Sequence, residues 1–129
     1  MKHLLIVEDN YIMRLFLVNY FSGDYIVDAV EKPRQALNRV QNGHFDMVIM
    51  DSQIVESGDH TDLKELIKLV RYHDIPNLLL TDSDKSDERI EALTIGAEDT
   101  MSKPFNPVEL NLRIKIKTGK LQNPMQNVA

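Results

Sequence analysis

Short apolar runs alternate along the chain with longer stretches in which apolar residues recur every three or four positions. The runs are residues 4–7 (LLIV), 26–30 (IVDAV, interrupted by Asp28), 47–50 (MVIM) and 78–80 (LLL). Residues 99–102 (DTMS) form a fifth and more polar candidate. Short apolar runs bounded by polar or turn residues read as buried strands. The first helical pattern places Ile12, Leu15, Phe16, Asn19 and Tyr20 on one stripe behind Asn10, a suitable N-cap. The second spans 33–41, with Ala36, Leu37 and Val40 on one face, Pro33 at its first position and Gly43 as its stop. The third spans 62–72, with Leu63, Leu66, Ile67 and Val70 inside. The fourth runs from Asp84 or Ser86 to Ile95 and stops at Gly96. The fifth opens at Asn106, with Pro107 next and Glu109 in the position of a capping-box acid.

Strand then helix, five times over, predicts an α/β fold: a doubly wound parallel sheet covered by helices on both faces. Such strands are buried on both sides, which accounts for their unbroken apolar runs. One segment is ambiguous. Val108, Leu110, Leu112, Ile114 and Ile116 alternate with polar residues as a strand would. The cap residues before them decide for helix. Leu110 and Ile114 then form one stripe, and Val108, Leu112 and Ile116 a second well around the cylinder. Either the second stripe is partly buried against a neighbouring helix, or it is a partner surface.

Composition narrows the function. A chain of 129 residues is one domain. It has no cysteine, so disulfides and thiolate metal sites are excluded. The apolar runs are too short to span a bilayer, and no signal sequence opens the chain, so the expected location is cytoplasmic. A net charge of −5 argues against nucleic-acid binding by the whole surface. The basic end of the fifth helix, Lys115, Lys117 and Lys120, reads as a solvated face placed favourably on the helix dipole. His3, His44, His60 and His73 show no ligand-like spacing and read as surface or loop residues.

The chemistry sits at strand ends, where parallel sheets bind ligands. The first strand ends in Glu8 and Asp9, the third in Asp51, and the fourth in Thr81 and then Asp82; Lys103-Pro104 follows the fifth. Burying a lone carboxylate such as Asp51 is expensive. If the first strand lies beside the third, Glu8, Asp9 and Asp51 converge, and their repulsion is relieved by a hard divalent cation. Mg²⁺ suits a few carboxylates, because it keeps several waters. Lys103 adds positive charge and Thr81 a hydroxyl, together enough to hold a tetrahedral anion beside a carboxylate. That arrangement suits phosphoryl transfer onto Asp51 as nucleophile. Each residue also has a structural reading: helix capping for Asp9 and Asp51, an exposed strand end for Glu8, an ordinary threonine for Thr81 and a solvated lysine for Lys103. Asp82 and Asp84 read as surface or cap residues.

The set IVEDN, VIMDSQ, LLLTDSD and GAEDTMSKPF, in this order, resembles the receiver domain of response regulators, the phosphoacceptor half of two-component signalling. The resemblance covers residues 2 to about 119, leaving 120–129 as a tail or the start of a linker. It implies a flavodoxin-like (βα)5 fold of strand order 2-1-3-4-5. It makes Asp51 the phosphorylation site, Thr81 the switch hydroxyl and Lys103 the phosphate-binding lysine. Mg²⁺ is the implied cofactor, held by Glu8, Asp9, Asp51 and the backbone carbonyl of Gln53. The bond before Pro104 is implied to be cis. A sensor histidine kinase or histidine phosphotransfer protein is the implied donor. The face of the fourth helix, fifth strand and fifth helix is the implied switching surface, and we expect a homodimer there. By this reading the chain is no enzyme beyond catalysing its own phosphorylation and dephosphorylation. Three positions depart from the family pattern: Val55 in place of a proline, Asp82 in place of a small residue, and Thr100 in place of an aromatic. They leave room for a receiver-like binding module that signals without phosphorylation. A phosphatase with an aspartate nucleophile would want a second aspartate where Gln53 stands.

Overall fold

The computed structural model describes residues 1–51, 61–82 and 86–119. Gln53, Val55, His60, Asp84 and residues 120–129 lie outside them. Among the described residues five strands alternate with five helices. They are β1 (Lys2–Val7), α1 (Tyr11–Phe21), β2 (Tyr25–Val30), α2 (Pro33–Asn42), β3 (Met47–Asp51), α3 (Thr61–Tyr72), β4 (Asn77–Thr81), α4 (Ser86–Thr94), β5 (Asp99–Ser102) and α5 (Pro107–Lys117). The strands form one sheet of order β2-β1-β3-β4-β5, every neighbouring pair parallel. This is the doubly wound, flavodoxin-like arrangement that the alternation and the motifs predict.

Side chains alternate across a strand, so each central strand feeds two cores. Leu5, Val7, Val48, Met50 and Leu79 point to one face and pack against Ala36 and Val40 of α2 and Leu63, Leu66, Ile67 and Val70 of α3. Leu4, Ile6, Met47, Ile49, Leu78 and Leu80 point to the other, against Leu17 and Phe21 of α1 and Leu110 and Ile114 of α5. The two edge strands, β2 and β5, are the less apolar ones. Asp28 interrupts β2 at an edge where its carboxylate reaches solvent and pairs with Arg39.

Helix ends follow the sequence signals in part. Asn10 Oδ1 accepts from Met13 N at 2.8 Å, and Asn106 Oδ1 from Val108 N at 2.9 Å. Glu109 does not behave as a capping-box acid; its carboxylate is turned to Arg113, which donates to it at 3.1 Å. Gly96 ends α4 with φ +111°, where a side chain would be strained, and a Cβ there would lie 2.8 Å from Arg71 Nη1. Gly43, by contrast, is extended, a conformation open to any residue.

The α1 face needs correction. The expected stripe Ile12, Leu15, Phe16 and Tyr20 faces outward, with Ile12 70% exposed. Leu17 and Phe21 are buried instead, with Met13 packed beside them. The sequence YIMRLFLVNYF is apolar around most of its circumference, so periodicity alone does not choose a face. In α5 the strand-like alternation is helical, and its two stripes separate: Leu110 and Ile114 are buried, whereas Val108 and Leu112 are exposed.

Candidate functional site

Strand register brings the suggestive residues to one rim. Val7 pairs with Met50 and Asp51 with Leu80, so the ends of β1, β3 and β4 lie side by side. Thr81 pairs with Ser102, and the ladder continues one residue further, where Lys103 N donates to Thr81 O at 2.7 Å. That bond fixes the base of the Lys103 side chain. The Lys103-Pro104 peptide is cis, as the motif implies. On the first strand, Glu8 N donates to Val30 O at 3.0 Å, which carries the ladder past β1. Arg14, one turn into α1, donates to the carbonyls of Glu8 (2.8 Å) and Asp9 (3.4 Å) and pins the turn that presents both acids.

Glu8, Asp51 and Thr81 are buried, at 1%, 3% and 1% exposure, while Asp9 is open to solvent. One carboxylate oxygen from each of Glu8, Asp9 and Asp51 lies within 4.8 Å of the others. Lys103 Nζ donates to Asp51 Oδ2 and stands 3.7 Å from Glu8 Oε1 and 3.6 Å from Asp82 Oδ1. Burial pulls against the ammonium, but Asp51, Glu8 and Asp82 together outweigh it and hold the Lys103 pKa above its ordinary value. Thr81 Oγ1 is turned toward β5, 3.5 Å from the carbonyl of Met101.

Glu8 is the group most out of place. Both of its carboxylate oxygens are buried, and among the described residues neither has a partner at good hydrogen-bond geometry. Burial first, and then the neighbouring Asp51 carboxylate, push its pKa up to about 8, against the pull of Lys103. A buried acid beside two more carboxylates is a donor set that a divalent cation satisfies. All three donors are hard oxygens, which suits Mg²⁺. The residues present therefore fit the ion.

The structure thus gathers Glu8, Asp9, Asp51, Thr81 and Lys103, and Gln53 lies outside the described residues. Two further residues belong to the rim. Arg14 gave no sequence signal, because its role is to backbone carbonyls. Asp82 read as a surface residue; its side chain is 54% exposed but also faces Lys103. Thr100, half-buried on β5, lines a cavity of about 390 Å³ with Arg89, Ser102, Phe105, Glu109 and Arg113.

Comparison with known proteins agrees with this geometry. The response regulator receiver domain family matches over residues 4–115. The chain is 34% identical over 115 residues to the response regulator SaeR of Staphylococcus aureus, covering 88% of this chain and 49% of that protein. It therefore spans about half the length of the curated relatives it matches. Among solved structures, the chemotaxis protein CheY4 of Vibrio cholerae superposes with a TM-score of 0.78 at 26% identity, over 89% of this chain and 97% of that one. The receiver domain of the sensor histidine kinase PA1611 of Pseudomonas aeruginosa PAO1, solved with a magnesium ion in its active site cleft, gives 0.78 at 23% identity over 92% and 98%. Accepting a phosphoryl group in two-component signalling is the role of this family, and the sequence match, the sheet order and the acidic rim agree that the chain belongs to it, as a response regulator receiver domain.

Proposed function

We propose that Asp51 accepts a phosphoryl group from a histidine of a sensor kinase or phosphotransfer protein, and that the resulting acyl phosphate switches the surface of this domain. The observation that carries the reading is the convergence of Asp51 with Glu8, Asp9 and Lys103 at one rim of the sheet. Asp51 attacks phosphorus through a carboxylate oxygen. The bond from phosphorus to the donor nitrogen breaks, and its electron pair leaves with the imidazole. Lys103 exchanges its contact with Asp51 for one to a phosphoryl oxygen. The Thr81 hydroxyl turns from Met101 toward the same group. Glu8, Asp9 and Asp51 would hold Mg²⁺, with the Gln53 carbonyl as the further ligand that the family implies. Bound there, the ion supplies neutralisation of the charge on the transferring group. The magnesium in the Pseudomonas receiver supports the assignment. Hydrolysis of the acyl phosphate by the same residues resets the domain, so its catalysis is confined to its own modification.

The outward face of α1 suits the donor protein. Ile12 and Phe16 line a cavity of about 490 Å³ whose other walls include Glu8 and Lys103. With Leu15 and Tyr20 they form an exposed apolar stripe leading to the site. Such a donor places the chain in the cytoplasm. Ile90 and Leu93 on α4 and Val108 and Leu112 on α5 are likewise exposed and apolar, and α5 is tied to β5 and the residue before it by the ion pairs Arg113–Asp99 (2.9 Å) and Lys117–Glu98 (3.8 Å). We read this apolar set as the switching face and the seat of a homodimer. Leu112→Glu then abolishes a dimer seen by sedimentation, and a monomeric parent protein would end the idea. Residues 1–119 are the receiver unit in this reading, and 120–129 a tail or linker.

The chemical identity of the bond tests the reading. Label transferred from a phosphohistidine protein is released by hydroxylamine, as an acyl phosphate must be, and maps to the peptide containing Asp51. Label that survives hydroxylamine, or persists in Asp51→Asn, refutes it. Thr100 and its open cavity favour a second reading, a receiver-like binding module indifferent to phosphorylation. Partner binding unchanged by donor, Mg²⁺ and Asp51→Asn would establish that alternative.

A further inference from the structure

The residue after Thr81 is an aspartate whose carboxylate stands 3.6 Å from Lys103 Nζ and whose side chain is more than half exposed. The same ammonium already serves Asp51 and Glu8. We propose that Asp82 is a charge gate on the phosphodonor, imposing a penalty that grows with the donor's negative charge and so disfavouring small anionic donors that bring no docking surface of their own. The proposal rests on the phosphoacceptor reading and adds to it a specificity-determining residue.

The charges at the rim carry the argument. Glu8, Asp9, Asp51 and Asp82 against Lys103 leave a formal charge of −3 when all are ionised. A divalent cation reduces this to −1, and the loss of Asp82 then brings it to neutrality. Arg14 lies nearby but is committed to the carbonyls of Glu8 and Asp9. The roles of the acids differ. Glu8 and Asp9 are placed to ligate an ion, and Asp51 is consumed by the reaction. Asp82 does neither: at 54% exposure it lies outside the buried floor and faces what enters. It acts in two ways. It repels an incoming phosphoryl group directly, and it competes with that group for Lys103. A phosphohistidine presented by a protein overcomes the repulsion with binding energy gathered elsewhere, along the exposed residues of α1. A small donor has no such contacts.

Because the interaction is electrostatic, the logarithm of the rate effect scales with donor charge. Acetyl phosphate is a dianion at neutral pH, and phosphoramidate is a zwitterion with a single net negative charge. The measurement is the initial rate of Asp51 phosphorylation with each donor in Mg²⁺, for the parent chain and for Asp82→Asn, Asp82→Ala and Asp82→Glu. Asp82→Asn removes the charge and keeps the size. It is expected to accelerate phosphoramidate about twofold and acetyl phosphate about fourfold, the square of the first ratio, in low salt. Both gains fall toward one near 1 M salt, where screening acts over about 3 Å. Asp82→Glu stays close to the parent. Mg²⁺ affinity, followed by NMR titration, is unchanged or slightly weakened in Asp82→Asn, because a negative charge has been removed.

Equal gains with the two donors, or gains confined to Asp82→Ala, would assign the effect to bulk and overturn the proposal. So would acceleration accompanied by tighter Mg²⁺ binding, which would place the effect in the metal site. Asp82 is a surface side chain, so none of these variants removes core packing. Failure of every protein, parent included, to take up label from either donor would have a different meaning: it would overturn the phosphoacceptor reading itself, and the gate with it.

Discussion

Asp51 ends a strand whose five residues are all buried, and its charge is tolerated because Lys103 meets it there. Removing the lysine takes from buried Asp51 and Glu8 the ammonium that both of them face. Lys103→Met is therefore expected to destabilise the metal-free protein by about 1–3 kcal/mol in chemical denaturation, and Mg²⁺ should restore much of the loss. Glu8 gives a pH prediction with a definite sign. Its carboxyl titrates near 8 in the folded, metal-free chain, against an ordinary value of 4.5. The folded state thus binds more protons than the unfolded one between these values. The contribution of Glu8 to stability is fully present below about pH 4.5 and is lost as pH rises through about 8. Only the anion ligates a metal. Mg²⁺ binding should therefore release a proton at neutral pH and strengthen as pH rises toward 8, then level off, as calorimetry in buffers of different ionisation enthalpy can check. Glu8→Gln should stabilise the metal-free protein by at least about 1 kcal/mol above pH 8 and remove the pH dependence of Mg²⁺ binding. The acids at the rim, Thr81 and Lys103 were legible in the sequence because each ends a strand or follows closely on one. The Asp82–Lys103 contact was not, because it joins loops after different strands and depends on a distance that no local pattern encodes.

Among the elements, α1 separates what periodicity fixes from what it leaves open. Its limits and its Asn10 cap follow from local chemistry, but its face does not, since apolar residues surround most of the cylinder. The sheet selects Leu17 and Phe21 and leaves Ile12, Leu15, Phe16 and Tyr20 to solvent. Leu17→Ala should accordingly cost about 2–4 kcal/mol, and Ile12→Ala less than about 0.5 kcal/mol, in the same denaturation assay. Phe16→Asp should impair transfer from a phosphohistidine protein about tenfold or more, as loss of an interface anchor does, while leaving the rate with a small donor within about twofold. In α5 the cap residues rightly overrode the strand-like alternation, because a helix with two apolar stripes and a strand share that pattern over a few residues. β2 and β5 were harder to read than β1, β3 and β4 for a physical reason: edge strands need not be apolar on both faces.

For the molecule as a whole, the parallel sheet does two things. It buries two cores, one on each face, and it aligns the carboxyl ends of β1, β3, β4 and β5 at one rim. The first is written in the alternation of runs and stripes, and the second follows from strand order, which required the family motifs to fix. The acids gathered at the rim repel one another in the metal-free state, so folding stability and ion binding are linked. At about one hundred times its dissociation constant, Mg²⁺ should stabilise the chain by about 2.7 kcal/mol, and the melting temperature should rise with Mg²⁺ but not with an equal ionic strength of sodium chloride. The central claim is that this rim turns Asp51 into a phosphate acceptor. The most direct measurement is the intact mass of the chain after incubation with a small-molecule phosphodonor, with Mg²⁺ or with a chelator. The account predicts a gain of one phosphoryl group with Mg²⁺, none with chelator and none in Asp51→Asn; a gain that survives the chelator or the substitution would contradict it.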